Sequence, residues 1–325
     1  MRDGPSNDPS LQDFAPEVAR DFQVILRGLK SFMHSPLVRR HLALTGGIAL
    51  HVFHSEGNPS RLTQEIDFNF RTVDIEDESQ SLEETRNQID NIVKNTLVEL
   101  GVDPDDIYVD PLYPLSRIGG HIPVGIKGQT LDLKFEIGYI RRIPLLKDTE
   151  VTLENKFGID SICVRVPQLE EVISSKIGAL LDRAFPRDLF DIHYALQLLH
   201  DPLLLRKCFI IESLMVLERP IWELDFEDII SGIGYDTALV NVLPIASATR
   251  EEFTRMKDAV VRKIEKMVKS LNGEEKEGIE SFFSNGKVDM ALLDAENVLA
   301  PSVSKHPLLR RRVQLMEAEQ EKHRL

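Results

Sequence analysis

The chain has 325 residues, 42% of them hydrophobic and 28% charged, the composition of a globular protein with room for two domains rather than of a disordered chain. Its formal net charge of −14 argues against strong non-specific nucleic-acid binding, which draws its affinity from many Lys and Arg contacts to phosphate. No apolar run nears the roughly 18 residues of a membrane span, and the start lacks a basic-then-apolar signal, so a cytoplasmic protein with no membrane partner is expected. Cys163 and Cys208 stand apart from any CxxC or histidine cluster, which points to neither a disulfide frame nor a zinc site.

Residues 1 to 14, rich in Asp, Asn, Pro and Ser, read as a loose leader. Val18, Phe22, Ile25, Leu26, Leu29 and Phe32 then recur at three- and four-residue spacing and predict a helix of about five turns. A short apolar run, Leu42 to Leu44, leads through Thr45-Gly46-Gly47 into a helical stretch from Ile48 to His54. This is strand, glycine turn, helix. Glu65-Ile66-Asp67-Phe68-Asn69-Phe70 alternates polar and apolar, the period of a half-buried strand. A third helix follows, opened by a possible capping box at Ser81 and Glu84 and closed by Gly101. Ile107 to Val109 is a candidate strand, and Leu131 to Ile137 alternates apolar residues against Asp132, Lys134 and Glu136. From Pro167 onward helices take over: Leu169 to Leu181, Leu189 to Leu199, Leu203 to Leu217, and Thr249 to Leu271, the last opened by Thr249-x-x-Glu252 and ended by Asn272-Gly273. The charged end, Glu317 to Leu325, is expected to fray. The boundary falls near residue 166, giving a first domain over 15–166 and a helical one over 167–325.

Three features carry chemistry. Gly46-Gly47 at a strand-to-helix junction lets backbone amides approach an anion, which suits a triphosphate, although a GG pair alone is more often a plain turn. Glu65 and Asp67 lie two apart on a strand, so both carboxylates leave the same face and could hold a divalent metal. Glu136 is the candidate third ligand if its strand is a neighbour, with Asp132 as the rival, and Lys134 shares that face. Lys176 and Asp188 are, from spacing alone, more often structural: Asp is a favoured N-cap, and Arg187 could pair with Asp191. Lys207, on the neighbouring helix, serves as a reference lysine without a role. Arg39-Arg40, Arg141-Arg142 and Arg310-Arg311-Arg312 are the candidate basic patches, each more simply read as solvated arginines.

Together these motifs resemble the AbiEii/AbiGii toxin family of DNA polymerase β-like nucleotidyltransferases. The resemblance is carried by Gly46-Gly47-Ile48-Ala49-Leu50, Arg61-x-Thr63-x-Glu65-Ile66-Asp67-Phe68, Lys134-Phe135-Glu136, Lys176 with Ala179-Leu180-x-x-Arg183, and Arg187-Asp188-Leu189-Phe190-Asp191. It runs in order from about residue 18 to 200, and Ser304-Lys305-His306-Pro307-Leu308 is similar to the family's C-terminal end. The set is specific; no single motif is. The resemblance implies an α+β fold, with a nucleotidyltransferase domain of mixed β-sheet flanked by helices followed by an all-helical domain. It further implies transfer of NMP from an NTP with Mg2+ or Mn2+ to an RNA, notably the tRNA 3′ end, or to a protein hydroxyl, by the toxin of a toxin–antitoxin or phage-defence pair with a cognate antitoxin. It places Gly46, Gly47, Arg61, Thr63 and Lys176 at the nucleotide, Glu65, Asp67 and Glu136 at the metal, and Asp188 beside the lysine or the acceptor. Two positions depart from the family: Glu65 stands where Asp is usual, and Ile48 where Thr is usual. The competing readings are an inactive fold that binds NTP or a partner, and a nuclease using the same carboxylates, which leaves Gly46-Gly47 and Lys176 without a task.

Overall fold

A 17-residue helix, α1 (Pro16–Phe32), opens the ordered chain with proline in its first turn, and the stripe read from the sequence is the face it buries: Phe22, Ile25, Leu26, Leu29 and Phe32 are all enclosed. The computed structural model describes residues 11–71, 80–110, 114–124, 128–245, 247 and 249–324. Leu11–Asp13 form a single helical turn and Phe14 is buried in the core, so the part of the expected leader that is described is packed rather than loose. The backbone of Asp13 accepts a hydrogen bond from Ile245 N at 2.8 Å.

By contacts the chain forms two compact units, one of Met1–Ile140, Thr149–Val166 and Val240–Ser247, the other of Arg141–Asp148, Pro167–Leu239 and Ala248–Leu325. In the first, α2 (Pro36–His41) leads into β1 (Leu42–Thr45), then α3 (Gly46–Ile48), which runs directly into a π-helical turn over Ala49–His54. There follow β2 (Glu65–Phe70), α4 (Gln80–Glu99), β3 (Tyr108–Asp110), β4 (Leu115–Pro123), β5 (Thr130–Gly138) and a hairpin of β6 (Thr149–Leu153) and β7 (Ile162–Val166). The side chain of Ser81, half of the expected capping box, lies outside the described residues. The main sheet has the order β1-β2-β5-β4-β3; β2 and β5 run parallel and the other pairs antiparallel, so the sheet is mixed. Phe68 and Phe135, on neighbouring strands, both meet Phe32 of α1, at ring separations of 5.3 and 5.0 Å, and fix that helix to one face of the sheet. The polar residues of β2 and β5 leave the other face.

The second unit contains α5 (Leu169–Arg183), α6 (Pro186–Leu198), α7 (Pro202–Val216), α8 (Phe226–Ser231), α9 (Thr237–Val240, its last residue in the first unit), α10 (Arg250–Lys269), α11 (Gly273–Asn285), α12 (Met290–Leu293) and α13 (Pro307–Arg324). The capping box at Thr249 forms, Thr249 Oγ1 accepting from Glu252 N and Glu252 Oε2 from Thr249 N. Asn272-Gly273, read as a stop, is also a start: Asn272 Oδ1 accepts from Glu275 N at 2.8 Å in a second capping box that opens α11. The expected fraying end is helical through Arg324, as the continuation of α13, whose buried residues Leu309, Arg312 and Met316 lie before it. Lys207 is no reference lysine. It is 1% exposed and pairs with Glu275 at 2.8 Å and Glu296 at 2.6 Å. Among the described residues no helix is long and apolar enough to cross a membrane.

Candidate active site

Thr45, the last residue of β1, lies opposite Asp67 in the antiparallel register of β1 and β2, and the chain must turn into a helix at once. Gly46 makes that turn with φ +67°, a region that L side chains avoid. A Cβ there would lie 2.1 Å from Asp67 Oδ2, so Gly46 is needed for its conformation and for the carboxylate pressed against it. Gly47 is held in the same way: a Cβ would lie 3.0 Å from Arg61 Nη2 and 3.1 Å from Thr63 Oγ1. Arg61 and Thr63 are both buried, and Arg61 Nη1 also donates to the carbonyl of Leu62 at 3.1 Å. The glycine turn, Arg61, Thr63 and Asp67 therefore form one contiguous surface.

The expectation that the two carboxylate strands are neighbours holds. In the parallel register Glu65 faces Lys134 and Asp67 faces Glu136, which puts Glu65, Asp67 and Glu136 on one face of adjacent strands. Two of these carboxylates carry cations. Lys134 Nζ donates to Glu65 Oε1 at 2.9 Å, and Arg117 Nε donates to Glu136 Oε1 at 2.6 Å. Each bond favours the charged form of its base, so both Lys134 and Arg117 are pushed above their ordinary pKa, chiefly by these partners. Asp132, the rival third ligand, accepts a hydrogen bond from the Tyr108 hydroxyl at 2.7 Å; burial, with Asp132 adding to it, pushes that hydroxyl up. Among the described residues no group of three or more His, Cys, Asp or Glu side chains stands ready to hold a metal. The donor set is nevertheless the hard oxygen set that magnesium or manganese takes, and the two ion pairs account for carboxylates turned toward cations instead of one another.

Arg117 is the residue that sequence reasoning missed. It lies on β4, opposite Glu136 on one side and Asp110 of β3 on the other. Gly119-Gly120 hides that strand, since a glycine pair reads as a turn. Here the glycines make room: a Cβ on Gly119 would meet Tyr108 Oη at 2.4 Å, and one on Gly120 would meet Val102 Cγ1 at 2.5 Å.

In the helical unit, Lys176 Nζ lies 3.2 Å from Asp188 Oδ1 and 2.9 Å from Asp191 Oδ2, both aspartates being fully buried. Arg183 adds a two-pronged contact to Asp188, at 2.8 and 3.0 Å. Asp188 thus holds two cations, and Asp191, which spacing offered to Arg187, lies on Lys176.

A glycine turn seated on a carboxylate strand, in a mixed sheet flanked by helices, defines a nucleotidyltransferase fold. The chain matches the family described as nucleotidyl transferase AbiEii toxin, type IV TA system, over residues 29–277, and it belongs to that family. Among solved structures it is similar to MenT4, a nucleotidyltransferase toxin from Mycobacterium tuberculosis H37Rv, with a TM-score of 0.53, 14% identity, and coverage of 90% of this chain and 92% of that one. It is also similar to JHP933 from Helicobacter pylori, with a TM-score of 0.45, 19% identity, and coverage of 80% and 98%. No curated protein sequence matches it. The family match gives the nucleotidyltransferase toxin type, and the likeness to MenT4 bears on the fold.

Proposed function

We propose that the protein is a metal-dependent nucleotidyltransferase that moves NMP from an NTP to a hydroxyl of RNA, the tRNA 3′ end, or of a protein, releasing pyrophosphate, as the toxin of a pair with a cognate antitoxin. The observation that carries this reading is the contact of Gly46 with Asp67: the turn able to cradle phosphate and the carboxylate able to hold their metal share one surface. Glu65, Asp67 and Glu136 would hold Mg2+ or Mn2+, which supplies charge neutralisation at the phosphates and at the attacking oxygen. Amides of Gly46 and Gly47, with Arg61 and Thr63 beside them, would bind and orient the triphosphate. Lys176, which pairs with Asp188 and Asp191, is assigned to phosphate, and Asp188 is its positioning residue.

The test is incubation with each α-labelled NTP, bulk tRNA and Mg2+ or Mn2+, with Asp67→Asn in parallel. Label in RNA or protein that disappears in Asp67→Asn is the expected result. The ion pairs on Glu65 and Glu136 favour one competing reading, a fold that binds NTP or a partner without chemistry. NTP binding without label in any acceptor would support that reading and sink the enzyme.

A further inference from the structure

The face of the sheet that carries Glu65 and Asp67 is built in charged rows. One row crosses four strands as Asp67, Glu136, Arg117 and Asp110; the next holds Glu65 opposite Lys134. Arg117 sits at the centre of its row, 2.6 Å from Glu136 and 3.6 Å from Asp110, with its side chain 37% exposed against 19% for Glu136. From the geometry we infer that Arg117 is a positioning residue for metal, a built-in counter-ion that holds Glu136 until a divalent cation displaces it, so that metal affinity is set by an exchange of ion pairs. Lys134 does the same for Glu65. The inference rests on the reading of Glu65, Asp67 and Glu136 as metal ligands.

The physical argument is competition. A carboxylate oxygen that accepts a short charge-assisted bond from guanidinium must give it up to ligate a metal, and the displaced cation then stays nearby and repels the ion. Two guards on the site screen the carboxylates of this face from one another without metal, and they lower its affinity for any stray divalent ion. On release Arg117 keeps a second carboxylate, Asp110 at 3.6 Å, and it is the more exposed partner of its pair with Glu136.

The experiment is Mn2+ titration of the full chain without nucleotide, by calorimetry and by the spin-resonance signal of free Mn2+, for wild type, Arg117→Gln, Arg117→Lys and Arg117→Gln with Asp67→Asn. Arg117→Gln should bind Mn2+ about tenfold more tightly than wild type, the low end of a charge-assisted bond at a part-exposed pair. Arg117→Lys, which keeps the charge, should stay within about threefold of wild type. A role in holding the sheet together predicts the opposite sign, so weaker or unchanged binding in Arg117→Gln overturns the inference, as does absence of binding in both forms. If Mn2+ binds Arg117→Gln as tightly after Asp67→Asn is added, the ion sits elsewhere and the assignment of the metal ligands fails instead.

Discussion

Replacing Gly46 by alanine tests the contact on which the proposed site rests. Two costs are separable. An alanine forced to φ +67° loses roughly 1–2 kcal/mol to its own backbone, and a methyl carbon 2.1 Å from Asp67 Oδ2 adds an overpacking cost of roughly 1–3 kcal/mol as β2 or the turn gives way. Urea unfolding should therefore show Gly46→Ala less stable by about 2–5 kcal/mol. In an Asp67→Ala background the obstructing carboxylate is gone, so the same substitution should cost only the backbone part, about 1–2 kcal/mol. The coupling reports the contact itself. Because Asp67 must move to admit the methyl, Mn2+ binding should fall along with stability in the single variant. If Gly46→Ala unfolds at the wild-type urea concentration, or costs the same with and without the Asp67 carboxylate, turn and carboxylate do not touch as described.

Lys207→Ala should cost about 3 kcal/mol in chemical unfolding, because Glu275 is fully buried and is left with Arg206, at 3.3 Å, and the Asn272 N–H, whereas Glu296 can turn to water. Lys176→Ala removes a cation bridging two buried aspartates and should also lose roughly 3 kcal/mol, so its NTP affinity must be measured below its melting point; wild-type melting would show that the bridge is absent. His41 is held below its ordinary pKa mainly by burial, and among the described residues its Nδ1 has no hydrogen-bond partner. The unfolded chain therefore binds the extra proton, and stability should fall as pH drops below about 6.5, an acid loss that His41→Phe, which keeps the stack on Phe70, should flatten in melts from pH 7 to 5. Glu65→Asp shortens the arm that reaches Lys134 yet keeps the charge, and should retain or raise label transfer while Glu65→Gln abolishes it; equal transfer in all three would make Glu65 an ordinary strand residue.

What was legible in the sequence followed from periodicity with a single buried face. The stripe of α1 and the alternation of Glu65–Phe70 and Leu131–Ile137 each carry enough apolar residues to fix which side meets the core, and with it where the carboxylates point. Residues whose place depends on another segment were not legible. β4 was hidden because Gly119 and Gly120 are selected by Tyr108 and Val102, which pack where their side chains would be, and Arg117 was lost with it. The short helix α2 escaped because six residues offer no period, although Ser35 before Pro36 is a cap in plain sight. Lys207 looked solvated, since nothing local marks a lysine whose counter-ions lie some 70 and 90 residues further on.

The same distinction bears on the chemistry. Charge at one position says little about function until the cross-strand register shows what stands beside it. Glu65 and Glu136 are each opposite a cation in the strand register, and Asp67 lies between the glycine turn and Glu136. Asp67 is packed against backbone that cannot accept a side chain, and its placement is fixed by the fold. Glu65 and Glu136 hang on longer arms, paired with Lys134 and Arg117. On the proposed reading as metal ligands, Asp67 is the rigid one and Glu65 and Glu136 are the exchangeable ones. It follows that substitutions at Asp67 should change metal binding and fold together, whereas those at Lys134 and Arg117 should change metal affinity while leaving the sheet intact, a separation that melting curves and Mn2+ titrations on the same variants can resolve.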